Sequence, residues 1–535
     1  MAESSWKKVC RDADLGEGVP RLVKVGDSDV LLVRVEGKVY AVGNKCTHYE
    51  CGLNEGAFFG NVVVCKCHDA RFDVTTGRAL TAPALKDLPV HAVRIDDGDI
   101  LLGPAQKPQF PKLEAGDPRT FLIVGAGAAG NAAAETLRRE KFAGRIVMIT
   151  RESDQPYDRP NLSKDFVTGE AKPEWLPLRS PKFYADQRIE VLTNTEVTSL
   201  DPRARTVTFR GGETLSFDKA LIATGGTPRI SDVPGADGEG CFTLRSFSDA
   251  RSIVEAAAGA KRAVLVGSGF IGLELASSLC TRGLEVEVVS REELPLAHIL
   301  GERIARYLKR RHEQKNVTFH MGATVDRISG AKGAKTVTLS GGKLLNADFV
   351  VFGLGVKPAL DFLAGSDLVQ DKGIPVNCRL ETKYPGIFAA GDSAIVPNPA
   401  GGDAQRIEHW CVAERHGQHS ARTMLGSTAP YDEVPFFWTR QTGISLKYVG
   451  NARTWSAIAV RGDVENGKFL AGFYGEGKLL AAASVGMPDE LTAVEMMIRN
   501  KIALPAEKLS DSGVDLLAIA GASAGHNAMS PAKAS

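Results

Sequence analysis

The chain has 535 residues, of which 43% are hydrophobic and 24% are charged, and its formal net charge is +1. This length allows several globular domains, whereas the near-neutral charge excludes a bulk electrostatic attraction to nucleic acid or to an anionic membrane. The first residues contain no apolar core of a signal peptide, and no run approaches the roughly twenty apolar residues that a membrane-spanning helix needs. We therefore expect a soluble, cytoplasmic protein with no membrane span and no nucleic-acid partner.

The N-terminal part reads as a series of short β-strands. Apolar runs at residues 30–35 and 39–42 flank a turn, Glu36-Gly37-Lys38, that is typical of a hairpin. Similar runs continue, so residues 1–103 are predicted to form an all-β domain. Residues 104–118 contain four prolines, which favour an extended linker and mark a domain boundary.

Two Cys-His pairs lie at the ends of predicted loops within this domain. Cys46 and His48 form the first pair and Cys65 and His68 the second, in the spacing C-x-H-x16-C-x2-H. Two thiolates and two neutral imidazoles suit a [2Fe-2S] cluster in which the cysteines hold one iron and the histidines hold the other. A structural zinc is the alternative, although zinc sites favour C-x2-4-C and H-x3-5-H pairs.

The spacing resembles that of the Rieske family, and the resemblance has two further implications. In the Rieske proteins of cytochrome bc complexes, cysteines that match Cys51 and Cys67 form a disulfide between the cluster loops. The alternative is two reduced thiols, which a reducing cytosol would favour. Ala70 and Phe72 stand where those proteins carry Ser and Tyr hydroxyls that bond to sulfur, so the cluster is expected at the low-potential end of the Rieske range.

A dinucleotide-binding fingerprint occurs twice further along the chain. Apolar strands at residues 120–124 and 263–266 each run into a glycine-rich turn and then a helix. Such glycines permit a tight turn and a close approach of the backbone to a pyrophosphate, which faces the helix N-terminus. We therefore predict two dinucleotide sites, whose glycines are Gly125, Gly127 and Gly130 in the first and Gly267, Gly269 and Gly272 in the second.

The segments around these loops resemble the FAD-dependent pyridine nucleotide oxidoreductases. Residues 220–229 are similar to the strand and turn before the family's second nucleotide domain, and residues 387–392 are similar to its late FAD motif. Residues 156–164 narrow the resemblance to oxygenase-coupled ferredoxin reductases and apoptosis-inducing-factor-like flavoproteins. With the Rieske domain in front, the chain resembles the Rieske-containing branch of the latter over nearly all of residues 30–510.

The resemblance implies a multidomain protein in which an all-β Rieske domain precedes an α/β flavoprotein reductase. The NAD(P)H-binding domain is inserted into the FAD-binding domain, and an α+β C-terminal domain covers the flavin and allows a homodimer. The expected bounds are 119–245 and 350–428 for the FAD-binding domain, 246–349 for the NAD(P)H-binding domain and 429–515 for the reductase C-terminal domain. Residues 516–535 are predicted to be a disordered tail, because they are rich in Ala, Ser and Gly.

The resemblance also implies the residues around the flavin. Lys164 and Glu274 are expected to pair near the flavin N5, and Trp410 is expected beside the isoalloxazine, which makes these three the catalytic candidates. The alternatives are a surface ion pair and a plain core aromatic. His312 lies in a charged run that we interpret as the solvated face of a helix. Further FAD-binding candidates are Glu152, Arg159, Thr224, Gly225, Gly391, Asp392 and His409.

The coenzyme is indicated by the residue that ends the second strand of each dinucleotide unit, which usually accepts from the ribose hydroxyls. In the FAD half an arginine occupies this position, so the role is assigned to the next residue, Glu152. In the NAD(P)H half, Ser290 and Arg291 offer donors that suit a 2′-phosphate and favour NADPH. Glu292 and the glutamate after it would restore the use of NADH.

The positions of the cysteines limit the reactions that the predicted flavin can carry out. No cysteine occurs from Gly125 to Glu239, so the flavin has no thiol relay. We therefore interpret the chain as a reductase that passes electrons from NAD(P)H through FAD to the Rieske cluster and on to an external acceptor, such as an oxygenase component or a cytochrome. The alternatives are an NAD(P)H oxidase that uses oxygen or quinone, and a redox-sensing interaction protein of the apoptosis-inducing-factor type.

Overall fold

The computed structural model describes residues 6–114, 116–399 and 403–524. An all-β N-terminal domain is followed by two α/β domains, each built on a five-stranded parallel sheet, and by an α+β C-terminal domain. The predicted fold class is therefore confirmed. Within the described residues, no helix is long and apolar enough to cross a bilayer.

The N-terminal domain contains two antiparallel sheets. The larger has six strands, in the spatial order Lys7–Arg11, Asp99–Gln106, Val90–Asp96, Lys38–Gly43, Ser28–Val35 and Arg21–Val25. The smaller has four, Ala57–Phe59, Val62–Val64, Arg71–Asp73 and Ala79–Thr81. One predicted ligand loop precedes the smaller sheet and the other connects its two central strands. The domain reaches into the predicted linker, because its last strand ends at Gln106, whereas residues 107–114 form neither helix nor strand.

The first α/β domain holds the first glycine-rich loop at the end of its central strand. Its parallel strands are, in spatial order, Ile189–Leu192, Arg145–Ile149, Thr120–Val124, Lys219–Ile222 and Ile387–Ala389. They are apolar along their length because helices cover the sheet. These helices are Ala128–Arg139, Pro181–Asp186 and Trp410–Met424, whereas the short helix Asp165–Thr168 packs against helices of the second α/β domain. The antiparallel strands Val197–Asp201, Thr206–Phe209 and Thr214–Ser216 form an additional sheet.

The second α/β domain is inserted between the fourth and fifth strands of the first. Its parallel strands are, in spatial order, Cys241–Thr243, Phe349–Phe352, Arg262–Val266, Glu285–Ser290 and Val317–Met321. Its helices are Phe247–Ala257, Phe270–Thr281 and Ala297–Glu313, and a small antiparallel sheet contains Val325–Ser329, Lys335–Leu339 and Leu344–Ala347. Two short strand pairs complete this part of the chain, Gly226–Pro228 with Val356–Pro358 and Ile374–Pro375 with Ala394–Ile395.

The C-terminal domain is a five-stranded antiparallel sheet with three helices. The strands are, in spatial order, Phe436–Gln441, Ile444–Gly450, Lys478–Val485, Lys468–Gly475 and Ala457–Asp463. The helices are Pro488–Arg499, Ala506–Ser510 and Leu516–Ala524. The last of these corrects the predicted disordered tail, since its Leu516 and Ala520 are buried in the core of this domain. Residues 525–535 lie outside the described residues.

The interpretation of His312 as part of a solvated helix face is also wrong. The helix Ala297–Glu313 is exposed on one face, but His312 is fully buried. Its two ring nitrogens lie 3.0 Å from the carbonyl oxygen of Leu308 and 3.1 Å from that of Leu273. Because basic residues precede His312 in the sequence, the sequence pattern did not show that its side chain points into the core.

A buried ion network joins the N-terminal domain to the rest of the chain. Arg415 donates to Asp69 Oδ2 at 2.7 Å, and Arg71 forms an ion pair with Glu495. Arg499 binds Glu495 at 2.9 Å and a further carboxylate, that of Glu433, at 2.7 Å. Although burial alone would act in the opposite direction, the arginines hold the pKa of Glu433 well below its usual value. Each buried charge in the network therefore has a partner of opposite sign.

Breaking this network should destabilise the protein strongly. In Glu495→Gln, the guanidinium groups of Arg71 and Arg499 stay buried and lose their shared carboxylate, so we expect a loss of about 3 kcal/mol in the free energy of unfolding. Urea unfolding followed by tryptophan fluorescence measures this. The control is Glu190→Gln, which breaks an ion pair with Arg145 whose side chains are 44% and 47% exposed and should cost less than about 1 kcal/mol. Equal losses in both variants would contradict the prediction.

Candidate cluster and flavin sites

The structure brings the four predicted cluster ligands together. Cys46 and Cys65 are both 2% exposed, and the Cys46 thiol donates to the Cys65 sulfur. The Nδ1 atoms of His48 and His68 lie 3.1 Å apart. The two ligand loops are also joined by a disulfide, so the thiol pair and the imidazole pair are held on neighbouring loops.

That disulfide links Cys51 and Cys67, as the resemblance to cytochrome bc Rieske proteins implies. Both sulfur atoms lie within 4.8 Å of the Cys65 sulfur. Because they are bonded to each other, they offer no thiolate to a metal. The disulfide therefore ties the second ligand loop to the first and leaves Cys46 and Cys65 as the sulfur donors.

The protonation of the four ligands fits an iron–sulfur cluster. Hydrogen bonding from Cys46 lowers the pKa of the Cys65 thiol to about 7, which favours a thiolate. Burial lowers the pKa of His48 to about 4 and that of His68 well below its usual value. The same hydrogen bond, together with burial, raises the pKa of the Cys46 thiol well above its usual value, so the two sulfurs share one proton, which a bound iron would displace. Two sulfur donors and two neutral imidazoles are the donor set of a Rieske centre.

The candidate flavin site is a cavity of about 840 Å³ between the two α/β domains and the C-terminal domain. The first glycine-rich loop forms one wall. A Cβ atom at Gly130 would clash with the carbonyl oxygen of Gly125, and Gly125 itself has a φ of 111°, so the turn requires glycine at both positions. Most of the predicted FAD-binding residues line the cavity, namely Gly125, Gly127, Glu152, Arg159, Lys164, Thr224, Gly225, Glu274, Gly391, Asp392, His409 and Trp410.

Lys164 and Glu274 form an ion pair at the edge of this cavity, with the Lys164 Nζ atom 2.8 Å from Glu274 Oε2. Both side chains are largely buried, so the interpretation as a surface pair is wrong. The Glu274 carboxylate also accepts from Ser163 Oγ at 2.5 Å and from Thr439 Oγ1 at 2.6 Å. Three donors, two of them adjacent in the sequence and the third from the C-terminal sheet, hold one carboxylate in a fixed position beside the cavity.

Two buried polar atoms in the cavity wall have no hydrogen-bond partner in the part of the chain that the structure describes. They are Thr224 Oγ1 and His409 Nδ1. Burial lowers the pKa of His409 to about 4, so the ring is neutral. Buried polar groups are nearly always satisfied, and a polar cofactor in the cavity would supply the missing partners. Trp410 begins the helix Trp410–Met424 and is held by a hydrogen bond to Glu414.

Charged residues line the part of the cavity near the first glycine-rich loop. Glu152 accepts from Tyr157 Oη at 2.6 Å and from Arg159 at 2.9 Å. Asp392 accepts from Arg245 at 2.9 Å. Arg245 lines the cavity but was not among the predicted residues, because it lies in no glycine or acid motif. The contact of Glu152 with a ribose stays a prediction.

The helix that follows the second glycine-rich loop borders the same cavity. Gly267, Gly269 and Gly272 lead into the helix Phe270–Thr281, which contributes Phe270, Ile271 and Glu274 to the wall. Ser290 Oγ is buried and lies 2.8 Å from Ser268 Oγ. Arg291 is exposed. The structure therefore leaves Arg291, and not Ser290, free to meet a coenzyme phosphate.

Two aromatic residues that the sequence did not single out as site residues contact the cluster histidines. The Trp438 ring lies 4.3 Å from the His68 ring, measured between centroids, and also lines the flavin cavity. The Tyr49 ring lies 4.6 Å from His48 and 5.6 Å from His68. Tyr49 adjoins a ligand in the sequence, but Trp438 comes from the C-terminal domain, so only the folded chain reveals its position.

These features define a flavin-dependent oxidoreductase with an attached iron–sulfur domain, and comparisons with known proteins agree. The Pyridine nucleotide-disulphide oxidoreductase model matches residues 119–417, the Rieske [2Fe-2S] domain model matches residues 5–93, and the Reductase C-terminal model matches residues 436–520. The chain belongs to the pyridine nucleotide-disulphide oxidoreductase family and carries a Rieske domain. FAD and a Rieske [2Fe-2S] cluster are accordingly its prosthetic groups.

Individual relatives match different shares of the chain. The chain is 37% identical to apoptosis-inducing factor 3 of Homo sapiens, over 89% of this chain and 81% of that protein. It is 33% identical to the ferredoxin--NAD(+) reductase component of a 3-phenylpropionate/cinnamic acid dioxygenase from Photorhabdus laumondii, over 73% of this chain and 98% of the relative. The crystal structure of the ferredoxin reductase for the CYP199A2 system from Rhodopseudomonas palustris superposes with a TM-score of 0.72 at 32% identity, and covers 75% of this chain and 100% of its own.

The two glycine-rich loops allow a test that separates the dinucleotide sites. A Cβ atom would meet nothing at Gly127 or at Gly269, and both residues have negative φ. Gly127→Ala should therefore fold normally but lose FAD, because the methyl group occupies the space through which the backbone approaches the pyrophosphate. Flavin absorbance per chain and far-UV circular dichroism measure the two effects.

The matched control for this prediction is Gly269→Ala. It should keep its FAD and lose affinity for NAD(P)H, since the same methyl group is placed in the other loop. If Gly127→Ala retained a full complement of FAD, the assignment of the first loop to FAD would be wrong.

Proposed function

We propose that the protein transfers electrons from NAD(P)H through FAD to its own Rieske cluster and then to an external acceptor protein. Bound FAD would supply the conversion of a two-electron donor to one-electron steps. The observation that carries the proposal is the position of Trp438, which lines the flavin cavity and contacts His68. In this assignment Cys46, His48, Cys65 and His68 hold the cluster.

The C-terminal sheet fixes the contact between the two sites. Trp438 lies in the edge strand Phe436–Gln441 and also approaches His48, with ring centroids 6.4 Å apart. Its neighbour Thr439 donates to Glu274. This strand therefore contacts the cluster histidines through Trp438 and the wall of the flavin cavity through Thr439. We propose that Lys164 and Glu274 hold the charges of their ion pair next to the flavin. Trp410 is assigned a position beside the isoalloxazine ring.

An external acceptor would approach at the exposed part of Tyr49, where the first ligand loop meets the FAD-binding domain. Tyr49 contacts both histidines and is 49% exposed, and its hydroxyl donates to Asp158 at 2.9 Å. The histidines themselves are largely covered. The names of the dioxygenase and CYP199A2 reductase relatives place those proteins in oxygenase and ferredoxin systems, so we propose an oxygenase component or a cytochrome as the acceptor of this chain.

The proposal predicts that Trp438→Ala separates flavin reduction from cluster reduction. On anaerobic mixing with NADPH, flavin bleaching should keep its wild-type rate, whereas the rhombic Rieske signal in rapid-freeze EPR should appear at least about tenfold more slowly, a change of about 1.4 kcal/mol in the activation barrier. Trp438→Phe, which keeps an aromatic ring against His68, should recover much of the rate.

The control is Trp455→Phe, in the same domain but packed against Phe473, which should behave like the wild type. Cys46→Ser should lose the EPR signal and keep flavin bleaching. If flavin bleached in the wild type while a loaded cluster stayed oxidised, the proposed electron path would be wrong. The result would then favour one of the alternatives, an NAD(P)H oxidase or a redox-sensing protein.

We also propose that the preferred coenzyme is NADPH. The support is the exposed guanidinium of Arg291, which is suited to a 2′-phosphate. Glu292 is the competing group, but its carboxylate is engaged locally, with one oxygen 3.4 Å from Ser268 Oγ and the other 3.4 Å from His298 Nδ1. This engagement leaves the exposed Arg291 and Glu293 as the competing charges, and of the two only the guanidinium attracts a 2′-phosphate.

Arg291→Ala should therefore raise the KM for NADPH. Loss of a charge-assisted hydrogen bond to phosphate is worth about 1.5–3 kcal/mol, or roughly 10- to 100-fold, and the KM for NADH should change little. Steady-state kinetics with ferricyanide as acceptor measure both constants. Glu292→Gln is the matched variant: if it raised the KM for NADH while Arg291→Ala left NADPH kinetics intact, the chain would be an NADH enzyme.

A further inference from the structure

One buried lysine of the C-terminal domain reaches the cluster loops. Lys447 lies in the strand Ile444–Gly450, and its ammonium donates to the carbonyl oxygen of Lys66. Lys66 stands directly after the ligand Cys65. The side chain of Lys447 is partly buried, so its charge is not dispersed in bulk water.

The charge of Lys447 has no ion-pair partner among the residues that the structure describes. The nearby Asp69 is paired with Arg415, and Lys66 is paired with Glu55. The remaining charges that act on Lys447 are Asp489 and the Cys65 thiolate, both of which favour its protonated form, although burial lowers its pKa overall. Among the described residues, the Lys447 ammonium is therefore a cation without an ion-pair partner that lies against the second ligand loop, which carries both Cys65 and His68.

The placement of Lys447 is fixed by strand pairing. Lys447 stands directly opposite Trp438 in the antiparallel pair of strands Phe436–Gln441 and Ile444–Gly450. One residue of this pair contacts His68 and the other contacts the loop that begins at Cys65. The same hairpin thus delivers a ring to the histidine side of the pocket and a positive charge to the cysteine side.

We propose that Lys447 raises the reduction potential of the Rieske cluster. Reduction adds one electron, and hence one negative charge, to the cluster, and a nearby cation stabilises that charge in a medium of low dielectric constant. Ala70 and Phe72 provide no hydroxyl to the cluster sulfur atoms, so the lysine supplies stabilisation that hydrogen bonds would otherwise provide. This inference rests on the proposed function, because it requires a cluster at the four ligands.

The test is an EPR-monitored reductive titration of the holoprotein with dithionite. Lys447→Met should lower the cluster midpoint potential, whereas Lys447→Arg, which keeps the charge, should stay close to the wild type. Lys468→Met removes an exposed lysine from the same sheet and should leave the potential unchanged. With limiting NADPH, the reduced fraction of the cluster should fall in Lys447→Met relative to that of the flavin.

The outcomes separate this inference from the proposed function. If the wild type shows no Rieske signal at any potential, the cluster assignment itself fails. If the signal is present and the potential of Lys447→Met equals that of the wild type, or if Lys447→Arg falls as far as Lys447→Met, the role of the charge is refuted. Should Lys447→Met lose its iron, the comparison of Lys447→Gln with Lys447→Arg gives the same decision.

Discussion

The arrangement of the whole protein depends on the buried ion pair between Asp69 and Arg415. Asp69 directly follows the ligand His68, and Arg415 lies in a helix that packs beside the flavin cavity. Burying two charges costs desolvation free energy. Their attraction offsets this cost only if the geometry of the pair is good and further hydrogen bonds satisfy the remaining donors and acceptors. Arg415 meets this condition, since it also donates to the backbone oxygens of Ala82 and Val434. The pair therefore specifies one docking position for the Rieske domain.

Apolar contacts make that position permanent. Ala57, Phe59 and Val64 of the Rieske domain share a continuous core with residues of the C-terminal domain, such as Phe436 and Met497. A mobile domain would expose this core and leave the ion network unpaired in each open state. The cluster histidines therefore stay against Trp438, and the proposed electron transfer between the two sites would need no domain movement.

Local patterns in the sequence predicted much of the site. The ligands of the cluster and the two glycine-rich loops follow from short spacings, because each set is held by one loop or by two loops of one sheet. Trp438, Lys447 and Arg415 escaped prediction, since each acts on a loop more than three hundred residues away in the sequence and nothing near it signals that contact. The tail was predicted incorrectly because amino-acid composition indicates only average exposure. It does not reveal that two residues of a short helix are buried in a core.

One hairpin of the C-terminal domain fixes the position of the Rieske domain relative to the flavin cavity. Trp438, Thr439 and Lys447 occupy neighbouring positions on two paired strands, and they contact His68, Glu274 and Lys66 respectively. The register of the strands fixes all three contacts at once. The distance between the two redox centres and the charges beside them are therefore not independent, since any shift of the hairpin alters both. A separate protein in the role proposed for the Rieske domain would have to restore this geometry at every encounter, whereas the fused domain folds into it once.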